Sequence, residues 1–175
     1  IWDTKDFQLL SSHQLGKGKI RAIQPVCDDV FIANSQGQIF TINVFDIEEY
    51  TLFTTIDYPI FCLNNFSFNN SLLIGDKNAH LTEIEIKTKQ VLKSIAAHNW
   101  PIYRIEWLDS NEFVTCSRDK ILKIWDATSM KVKQRLSFPE FQGHLNSVNN
   151  LVSISTTQSI VSVGDDKQIC LWRKK

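Results

Sequence analysis

Short apolar runs separated by polar turn residues follow one another along the chain. One unit contains the runs Ile102–Trp107, Phe113–Ser117 and Ile121–Trp125 with short polar turns between them. Runs of this length that are rich in β-branched and aromatic residues predict strands joined as hairpins. A fourth run, Lys131–Leu136, alternates cationic side chains with others, as the exposed edge of a sheet does. We therefore expect four-stranded sheets in which this last strand is outermost and the middle strands are buried on both faces.

The unit recurs at a spacing near 41 residues. Trp125 lies 123 residues after Trp2, which is three times 41, and both tryptophans precede an aspartate. Two further steps of 41 end on apolar runs, at Ile84 and Asn43. Another copy ends at Trp172, 47 residues after Trp125, and we assign the extra six residues to an inserted loop, Phe138–Gly143. A fixed period of this size is typical of proteins built from stacked repeats.

Composition narrows the class of protein further. The 175 residues include 19 basic and 19 acidic side chains and are 43% hydrophobic, which is typical of a globular domain and not of a disordered chain. The four cysteines form no Cys-x-x-Cys pair, and no apolar run is long enough to cross a membrane. We expect an intracellular protein, in the cytoplasm or the nucleus, with no membrane span.

Motifs for cofactor or metal chemistry are missing from the sequence. There is no phosphate-binding loop, dinucleotide fingerprint or zinc-protease motif. His80 falls in a predicted strand, and no second ligand is spaced to join it in a metal site. We expect no cofactor, no metal and no small-molecule substrate.

Dipeptides at fixed places in the repeat carry a family resemblance. Gly143-His144 precedes the last repeat, Ala97-His98 is a variant one repeat earlier, and Trp-Asp stands at 2–3 and 125–126. With the 41-residue period, this pattern resembles the WD40-repeat family of β-propellers over essentially the whole chain. The resemblance implies an all-β fold of four four-stranded blades, in a family whose rings most often have seven. The implied units are the end of a preceding blade at 1–10, blades at 11–56, 57–97 and 98–138, and a last blade at 139–175 without its outer strand.

The resemblance also implies a hydrogen-bonded tetrad of histidine, hydroxyl, aspartate and tryptophan in each complete blade. The matching residues are His98, Thr115, Asp119 and Trp125 in the third complete repeat, and His144, Ser162, Asp166 and Trp172 in the fourth. The first two repeats lack the tetrad: they carry Gly16 and Asp57 for histidine, Ala33 and Ile74 for the hydroxyl, and Gly37 and Asn78 for aspartate. We expect those two blades to be held by packing alone and to be less regular.

A histidine, an aspartate and a hydroxyl in one blade also form the set of a hydrolase triad. A catalytic hydroxyl must face a cleft beside an oxyanion hole, whereas here the tryptophan indole is expected to occupy it. The sequence therefore favours a structural tetrad and a protein that is not an enzyme.

The chain, read this way, lacks parts of a closed ring. Our preferred hypothesis is the C-terminal part of a larger propeller, with the missing blades or strand supplied by the rest of the chain or by a partner. Two alternatives remain open, namely a four-bladed ring closed by Lys5–Leu10 on the last blade, and an open half-ring completed by a partner chain.

For function, the sequence favours a scaffold that presents propeller loops to partner proteins in a multisubunit complex. The resemblance places candidate contact residues after the histidine and before the turn aspartate, namely Asn99, Trp100, Tyr103, Arg118, Asn146 and Asp165. Trp100 and Tyr103 are the leading candidates, although Trp100 could instead pack beneath Pro101. A nucleic-acid or chromatin-associated subunit is an alternative that the zero net charge disfavours. A ubiquitin-ligase substrate receptor is another, but the Trp-Asp-x-Arg pattern of such receptors is absent.

Overall fold

A computed structural model of the chain describes residues 1–66 and 69–173, without the side chain of residue 47. Fifteen strands lie in the described residues. Their bounds are β1 Ile20–Val26, β2 Asp29–Asn34, β3 Gln38–Asn43, β4 Asp46–Thr55, β5 Ile60–Phe66, β6 Ser71–Asp76, β7 His80–Glu85, β8 Val91–Ala96, β9 Ile102–Trp107, β10 Glu112–Ser117, β11 Leu122–Asp126, β12 Val132–Leu136, β13 Val148–Ile154, β14 Ser159–Gly164 and β15 Ile169–Arg173. A short 3₁₀ turn, Ser155–Thr157, lies between β13 and β14. The all-β prediction is confirmed.

The strands form four antiparallel sheets, each in chain order: β1–β4, β5–β8, β9–β12 and β13–β15. The first strands of neighbouring sheets contact one another, so the sheets stand side by side with β1, β5, β9 and β13 innermost. Strand β12 lies at the opposite edge of its sheet, and β6 and β10 are buried along their whole length. Both outcomes confirm the strand pattern expected from the sequence.

Apolar side chains fill the space between each pair of sheets. One cluster joins the first two sheets through Phe31 and Leu72, a second joins the middle pair through Leu73 and Phe113, and a third joins the last pair through side chains such as Val114. These residues lie on strands that are apolar on both faces, because each middle sheet must pack against a neighbour on either side. Face-to-face stacking of sheets therefore provides the hydrophobic core.

The strand register corrects the repeat frame in the first sheet. Equivalent pairs between second and third strands are Val30 with Ile42, Leu72 with Ile84, Phe113 with Trp125, and Ile160 with Trp172. The tryptophan position of the first repeat is therefore Ile42 and not Asn43. By the same register the hydroxyl position is Ile32 and not Ala33, and the aspartate position is Gln36 and not Gly37. The error arises because the segments from first to second strand differ in length: Ile20 to Val30 is 10 residues, Ile60 to Leu72 is 12, and Ile102 to Phe113 is 11. The step from Trp2 to Ile42 is therefore 40 residues, and the next step, to Ile84, is 42.

The first sheet is less regular than the others, as expected, but the second is not. The third and fourth strands of the second sheet have one register shift, at Glu83/Ile84. The third sheet, which carries a tetrad, has the equivalent shift at Ile124/Trp125. Five of the six extra residues of the last repeat lie in a loop between β12 and β13, as expected, and the sixth lies between β13 and β14. The added length thus lies outside the strands, where it disturbs no strand pairing.

The two ends of the array are open. The last sheet has three strands in the described residues, and β15 forms its edge. At the other end Trp2 pairs with Leu9 in a small hairpin. A four-bladed ring closed by Lys5–Leu10 on the last blade is therefore wrong, because Leu9 pairs with Trp2 and not with β15.

Candidate functional site

The third sheet brings its four tetrad residues into one hydrogen-bonded chain. His98 Nδ1 lies 2.9 Å from Asp119 Oδ2, and His98 Nε2 lies 2.7 Å from Thr115 Oγ1. The indole of Trp125 donates to the same hydroxyl oxygen at 2.8 Å. Because a carboxylate can only accept, Nδ1 carries the proton and Nε2 accepts from the hydroxyl. Each polar side-chain atom of this hydrogen-bonded tetrad thus has a partner.

The last sheet repeats this arrangement with serine in place of threonine. His144 Nδ1 lies 2.9 Å from Asp166 Oδ2, His144 Nε2 lies 2.8 Å from Ser162 Oγ, and Trp172 donates to that oxygen at 2.9 Å. The structure therefore brings together both predicted sets of four residues. In each, the histidine links a loop before the innermost strand to the turn that carries the aspartate.

Burial and hydrogen bonding act in opposite directions on the ionisable members of the third sheet. Loss of solvent lowers the pKa of His98, against the raising effect of the Asp119 carboxylate. Burial alone would raise the pKa of Asp119, but the hydrogen bonds from His98 and from the backbone amides of Asn99 and Ile121 hold it below its usual range. A neutral histidine beside an ionised aspartate is the resulting state near neutral pH.

The hydroxyl of this sheet cannot act as a nucleophile in this arrangement. Thr115 is fully buried, and its oxygen is shared by the His98 ring and the Trp125 indole. A reacting hydroxyl needs access to a substrate carbonyl and donors for the developing oxyanion. The geometry is that of a structural chain that ties a loop to a sheet.

The first two sheets use a different residue for the same purpose, which the sequence analysis missed. Asn34, fully buried at the end of β2, accepts from the backbone amides of Gln36 and Gln38 through one oxygen. Asp76, at the end of β6, accepts from the amides of Asn78 and His80 at 2.8 and 2.9 Å. The expectation that packing alone holds these blades is wrong. An Asn or Asp two residues before the turn's centre is a known turn signal, so the sequence did contain it.

His80 is a half-buried strand residue, as expected. Its Nδ1 lies 3.3 Å from Asp76 Oδ2, and Tyr58 from the β4–β5 loop stacks on its ring with centroids 5.4 Å apart. The imidazole thus joins a loop to a turn within the second sheet, as His98 does in the third.

One end of the sheets, the loop face, carries the candidate contact residues. It is formed by the loops that lead into the innermost strands, such as 97–101, and by the turns between second and third strands, such as 118–121. Trp100 is 54% exposed, and the Arg118 guanidinium lies over its ring, 4.9 Å from the centroid. More than half of the Trp100 side chain thus lies at the surface, whereas Pro101 beside it is buried.

The Trp100 loop is fixed by its backbone. Ser117 Oγ donates to the Trp100 carbonyl at 2.9 Å, and the Asn99 amide donates to Asp119 Oδ2 at 3.0 Å. These hydrogen bonds therefore fix the backbone from which the exposed indole projects. A binding residue on an already fixed loop loses less freedom on association.

Tyr103 lies at a bulge that recurs in every inner strand. The register skips one residue near the start of each, and the residues skipped are Arg21, Phe61, Tyr103 and Asn149. The Arg21 guanidinium lies over the Phe61 ring, 5.1 Å from its centroid, and the Tyr103 ring centroid is 5.5 Å from that of Phe61. Tyr103 is half-buried in this row, so it offers less surface than Trp100. Bulges free side chains from the ladder and re-aim them.

The other candidates are placed around the same face. Asn99 and Asn146 are exposed loop residues, and Asp165 accepts a hydrogen bond from the bulged Asn149. Trp100 and Arg118 are thus in contact with each other at the third sheet, whereas Asn146 and Asp165 lie at the last sheet.

Comparison with known proteins agrees with this fold. The family described as WD domain, G-beta repeat (WD40) matches residues 89–126 and 136–173. A ribosome biogenesis protein WDR12 homolog from Ixodes scapularis is 31% identical over 87 residues, 49% of this chain and 19% of its own length. The human DDB1- and CUL4-associated factor 10 is 28% identical over 87 residues, 50% of this chain and 15% of its own length. The chain spans at most about a fifth of the curated relatives it matches first.

A solved structure shows the same architecture. The WD40 β-propeller domain of Doa1 superposes with a TM-score of 0.75 at 16% identity, covering 91% of this chain and 53% of that one. Within the described residues, no helix has the length and apolar content needed to cross a membrane. With two repeats matched by the family profile and four sheets arranged as in these propellers, the chain carries WD40 repeats and has the fold of an incomplete WD40 β-propeller.

Proposed function

We propose that the chain is a non-catalytic scaffold that binds partner proteins of a multisubunit complex through its loop face. The contact between Trp100 and Arg118 is the observation that carries the proposal. Tryptophan and arginine are the side chains most enriched among residues that dominate protein interfaces. Here both are exposed and in contact with each other, and hydrogen bonds to Asp119 and Ser117 fix the backbone of the Trp100 loop.

The relatives support a role in assemblies. One is named for ribosome biogenesis and another for association with DDB1 and CUL4. The match to each covers about half of this chain and a small share of the relative, so the similarity favours an interaction module without choosing a complex. Balanced charge, with 19 basic and 19 acidic residues, favours protein partners over nucleic acid.

The experiment compares variants of the full-length polypeptide in affinity purification. Trp100→Ala should reduce recovery of specific partners at least about tenfold, as loss of an interface anchor does. Phe45→Ala is the matched control, because Phe45 is 83% exposed in the turn between β3 and β4, at the other end of the sheets. Thermal unfolding should be unchanged in both. Normal partner recovery by Trp100→Ala, or a lowered melting temperature in that variant, contradicts the proposal.

We further propose that the hairpin at Ile1–Ser11 is the outer half of a preceding blade, whose inner strands come from residues upstream of Ile1. Three hairpins between third and fourth strands share one geometry. Each pairs residues seven apart: Trp2 with Leu9, Ile84 with Val91, and Trp125 with Val132. Each turn also has one residue with positive φ, namely Phe7 at 59°, Lys89 at 60° and Met130 at 53°.

The equivalent residues differ in burial. Trp125 and Met130 are 2% and 4% exposed in a core shared by the second and third sheets, in which Trp125 stacks on Phe113 of β10, whereas Trp2 and Phe7 are 62% and 75% exposed. Inner strands of the same blade, with the sheet before it, would cover the N-terminal pair in the same way. In the full-length polypeptide, the Trp2 contribution to fluorescence, obtained by difference from Trp2→Phe, should be shielded from acrylamide, whereas in residues 1–175 alone it should be quenched. A quenched Trp2 in the full-length polypeptide would contradict this arrangement.

A further inference from the structure

A cavity borders the turn 118–121 of the loop face, at the junction between the third and last sheets, and neither Trp100 nor Arg118 lines it. We call it the β12–β13 notch. Apart from Asp119 and His144 of the tetrads, it is lined by Lys120, Ile121, Arg135, Ser137, Phe138 and Leu145. Its volume is about 390 Å³. The notch thus joins the turn of one sheet to the loop that precedes the next.

The inserted loop supplies the apolar wall of the notch. Phe138, the first residue of this loop, is 56% exposed, and Leu145 is 48% exposed. Phe141 of the same loop lines a separate groove of about 860 Å³ beside β12 and β15. The insertion therefore places one of its two aromatic side chains in each cavity. Exposed apolar side chains grouped in a concavity are typical of interaction sites.

The other wall carries positive charge in excess. Lys123 and Arg135 are directly paired across β11 and β12, although like charges at opposed positions repel. Lys120 adds a third cation at the adjoining turn. Within residues 1–66 and 69–173, no carboxylate lies within ion-pair distance of Lys120 or Arg135.

The nearest carboxylate is already committed. Asp119 accepts from His98 and from the amides of Asn99 and Ile121, so both its oxygens are occupied. Lys123 donates to the carbonyl of Ala97 and is partly buried. The exposed cations of the notch, Lys120 and Arg135, are therefore the ones available to an anionic group from outside.

We propose that the β12–β13 notch binds an extended segment of a partner protein that carries an acidic side chain next to an aromatic or long aliphatic one. The acidic group would lie between Lys120 and Arg135, and the apolar group would pack on Phe138 and Leu145. Charge complementarity selects the acidic residue, and the apolar wall distinguishes this ligand from a nucleic-acid backbone, which is tracked by rows of cations. The proposal does not depend on Trp100, which is absent from the lining.

The test selects ligands without assuming their sequence. A library of random 12-residue peptides displayed on phage is panned against the full-length polypeptide, and an enriched peptide is labelled with fluorescein for anisotropy measurements. Enriched peptides should contain Asp or Glu within two residues of an aromatic or long aliphatic residue. Phe138→Ala should weaken the affinity at least about tenfold, and Lys120→Gln by a smaller factor that disappears at high salt.

Two matched controls come from the same structure. Phe141→Ala removes the other aromatic of the inserted loop, and Lys167→Gln alters the positive-φ turn residue of the last sheet that corresponds to Lys120. Both should leave the affinity within about twofold, and Trp100→Ala should too, which separates this site from the loop-face proposal.

Three results would overturn the proposal. The first is enrichment of peptides without acidic residues. The second is equal loss of affinity in Phe138→Ala and Phe141→Ala, or in Lys120→Gln and Lys167→Gln. The third is displacement of the peptide by a 20-nucleotide oligothymidylate that binds more tightly, which would assign the notch to nucleic acid. If Phe138→Ala does not fold, the comparison of peptide affinity between Lys120→Gln and Lys167→Gln still tests the proposal.

Discussion

The first two sheets and the last two solve the same structural problem with different residues. Each sheet must hold a tight turn between its second and third strands. In the last two sheets, Asp119 and Asp166 accept from turn amides and also from a histidine of the preceding loop. In the first two, Asn34 and Asp76 accept from backbone amides of the turn. Asp76 also contacts the ring of His80, the first residue of β7.

This difference separates local from long-range ties. The hydrogen bonds of Asn34 and Asp76 connect residues no more than four apart, so they stabilise the turn itself. In the second sheet the link to a loop is the stacking of Tyr58 on His80 and not a hydrogen bond. Asp119 and Asp166 connect residues 21 and 22 apart through their histidines, so each fastens a loop between sheets. The exposed Trp100 belongs to such a fastened loop. Long-range ties therefore occur where the loop face is proposed to bind.

The largest expected effect comes from a glycine of the first sheet. Gly37 has φ of 77°, and a Cβ there would lie 2.1 Å from the carbonyl oxygen of Ile56. Gly37→Ala should cost about 3 kcal/mol, since a backbone clash adds to the cost of positive φ. The equivalent residues Ala79 and Lys120 already carry side chains at positive φ, so Ala79→Gly should change stability by less than about 1 kcal/mol. Chemical denaturation measures the free energy of unfolding of both variants. Similar losses in Gly37→Ala and Ala79→Gly would contradict this prediction.

Removing the tetrad hydroxyl should have the next largest effect. Thr115→Val keeps the side-chain shape but leaves His98 Nε2 and the Trp125 indole without a partner. The expected loss is about 2 kcal/mol, because each orphaned buried group costs about 1–3 kcal/mol. In the second sheet the same position is Ile74, and Ile74→Val should cost about 1 kcal/mol or less. A Thr115→Val protein as stable as the parent would remove the energetic role of the tetrad.

Replacing the two aspartates by asparagine sharpens the comparison of local and long-range ties. Asp76 accepts from both turn amides through Oδ1, and Asn34 shows that an amide oxygen can do the same. Asp76 Oδ2 contacts His80 Nδ1 at 3.3 Å, and an amide nitrogen in that place can donate to Nδ1 if the proton of the partly exposed ring moves to Nε2. Asp76→Asn should therefore cost less than about 1 kcal/mol. Asp119 uses both oxygens, so Asp119→Asn should lose at least one partner and cost about 1–2 kcal/mol. Thermal unfolding of the two variants measures the two losses. A larger loss of stability in Asp76→Asn than in Asp119→Asn would contradict the assignment of local and long-range ties.

Acid should reveal the buried histidine as a smaller effect. The pKa of His98 is lowered in the folded protein, mainly by burial, whereas the unfolded chain titrates near about 6.5. The stability from the neutral ring is therefore complete above that value and decreases as pH falls below it, by at most about 1.4 kcal/mol per pH unit. His98→Gln should flatten the dependence of the melting temperature between pH 6.5 and 5. An unchanged slope would show that the ring does not titrate with folding.

Much of the architecture follows from the sequence because strand spacing and apolar runs repeat. The outermost position of β12 was readable from the cations of Lys131, Lys133 and Arg135, and the inserted loop from the longer last step. The frame of the first sheet was not, since the segment from first to second strand is one residue shorter in that sheet and one residue longer in the next than in the third, which shifts the equivalent positions without changing the apolar pattern. The local ties escaped because Asn34 and Asp76 match no position of the tetrad.

Of the candidate site, the sequence could place residues near one another but not set their exposure. Trp100 and Tyr103 are three residues apart, yet one is mostly exposed and the other lies in a row with Phe61. The difference depends on the bulge at Tyr103, which is a property of strand pairing between β9 and β10. Sequence periodicity carries no signal for a single unpaired residue.

The recurring bulges of the inner strands create a row of positions whose side chains can change with little effect on the fold. Arg21, Phe61, Tyr103 and Asn149 each stand outside the ladder of their own sheet, so four very different side chains occupy one architectural position. Substitutions there would leave strand alignment intact. New partner preferences could therefore evolve one blade at a time, while the stacked sheets behind this row stay as they are.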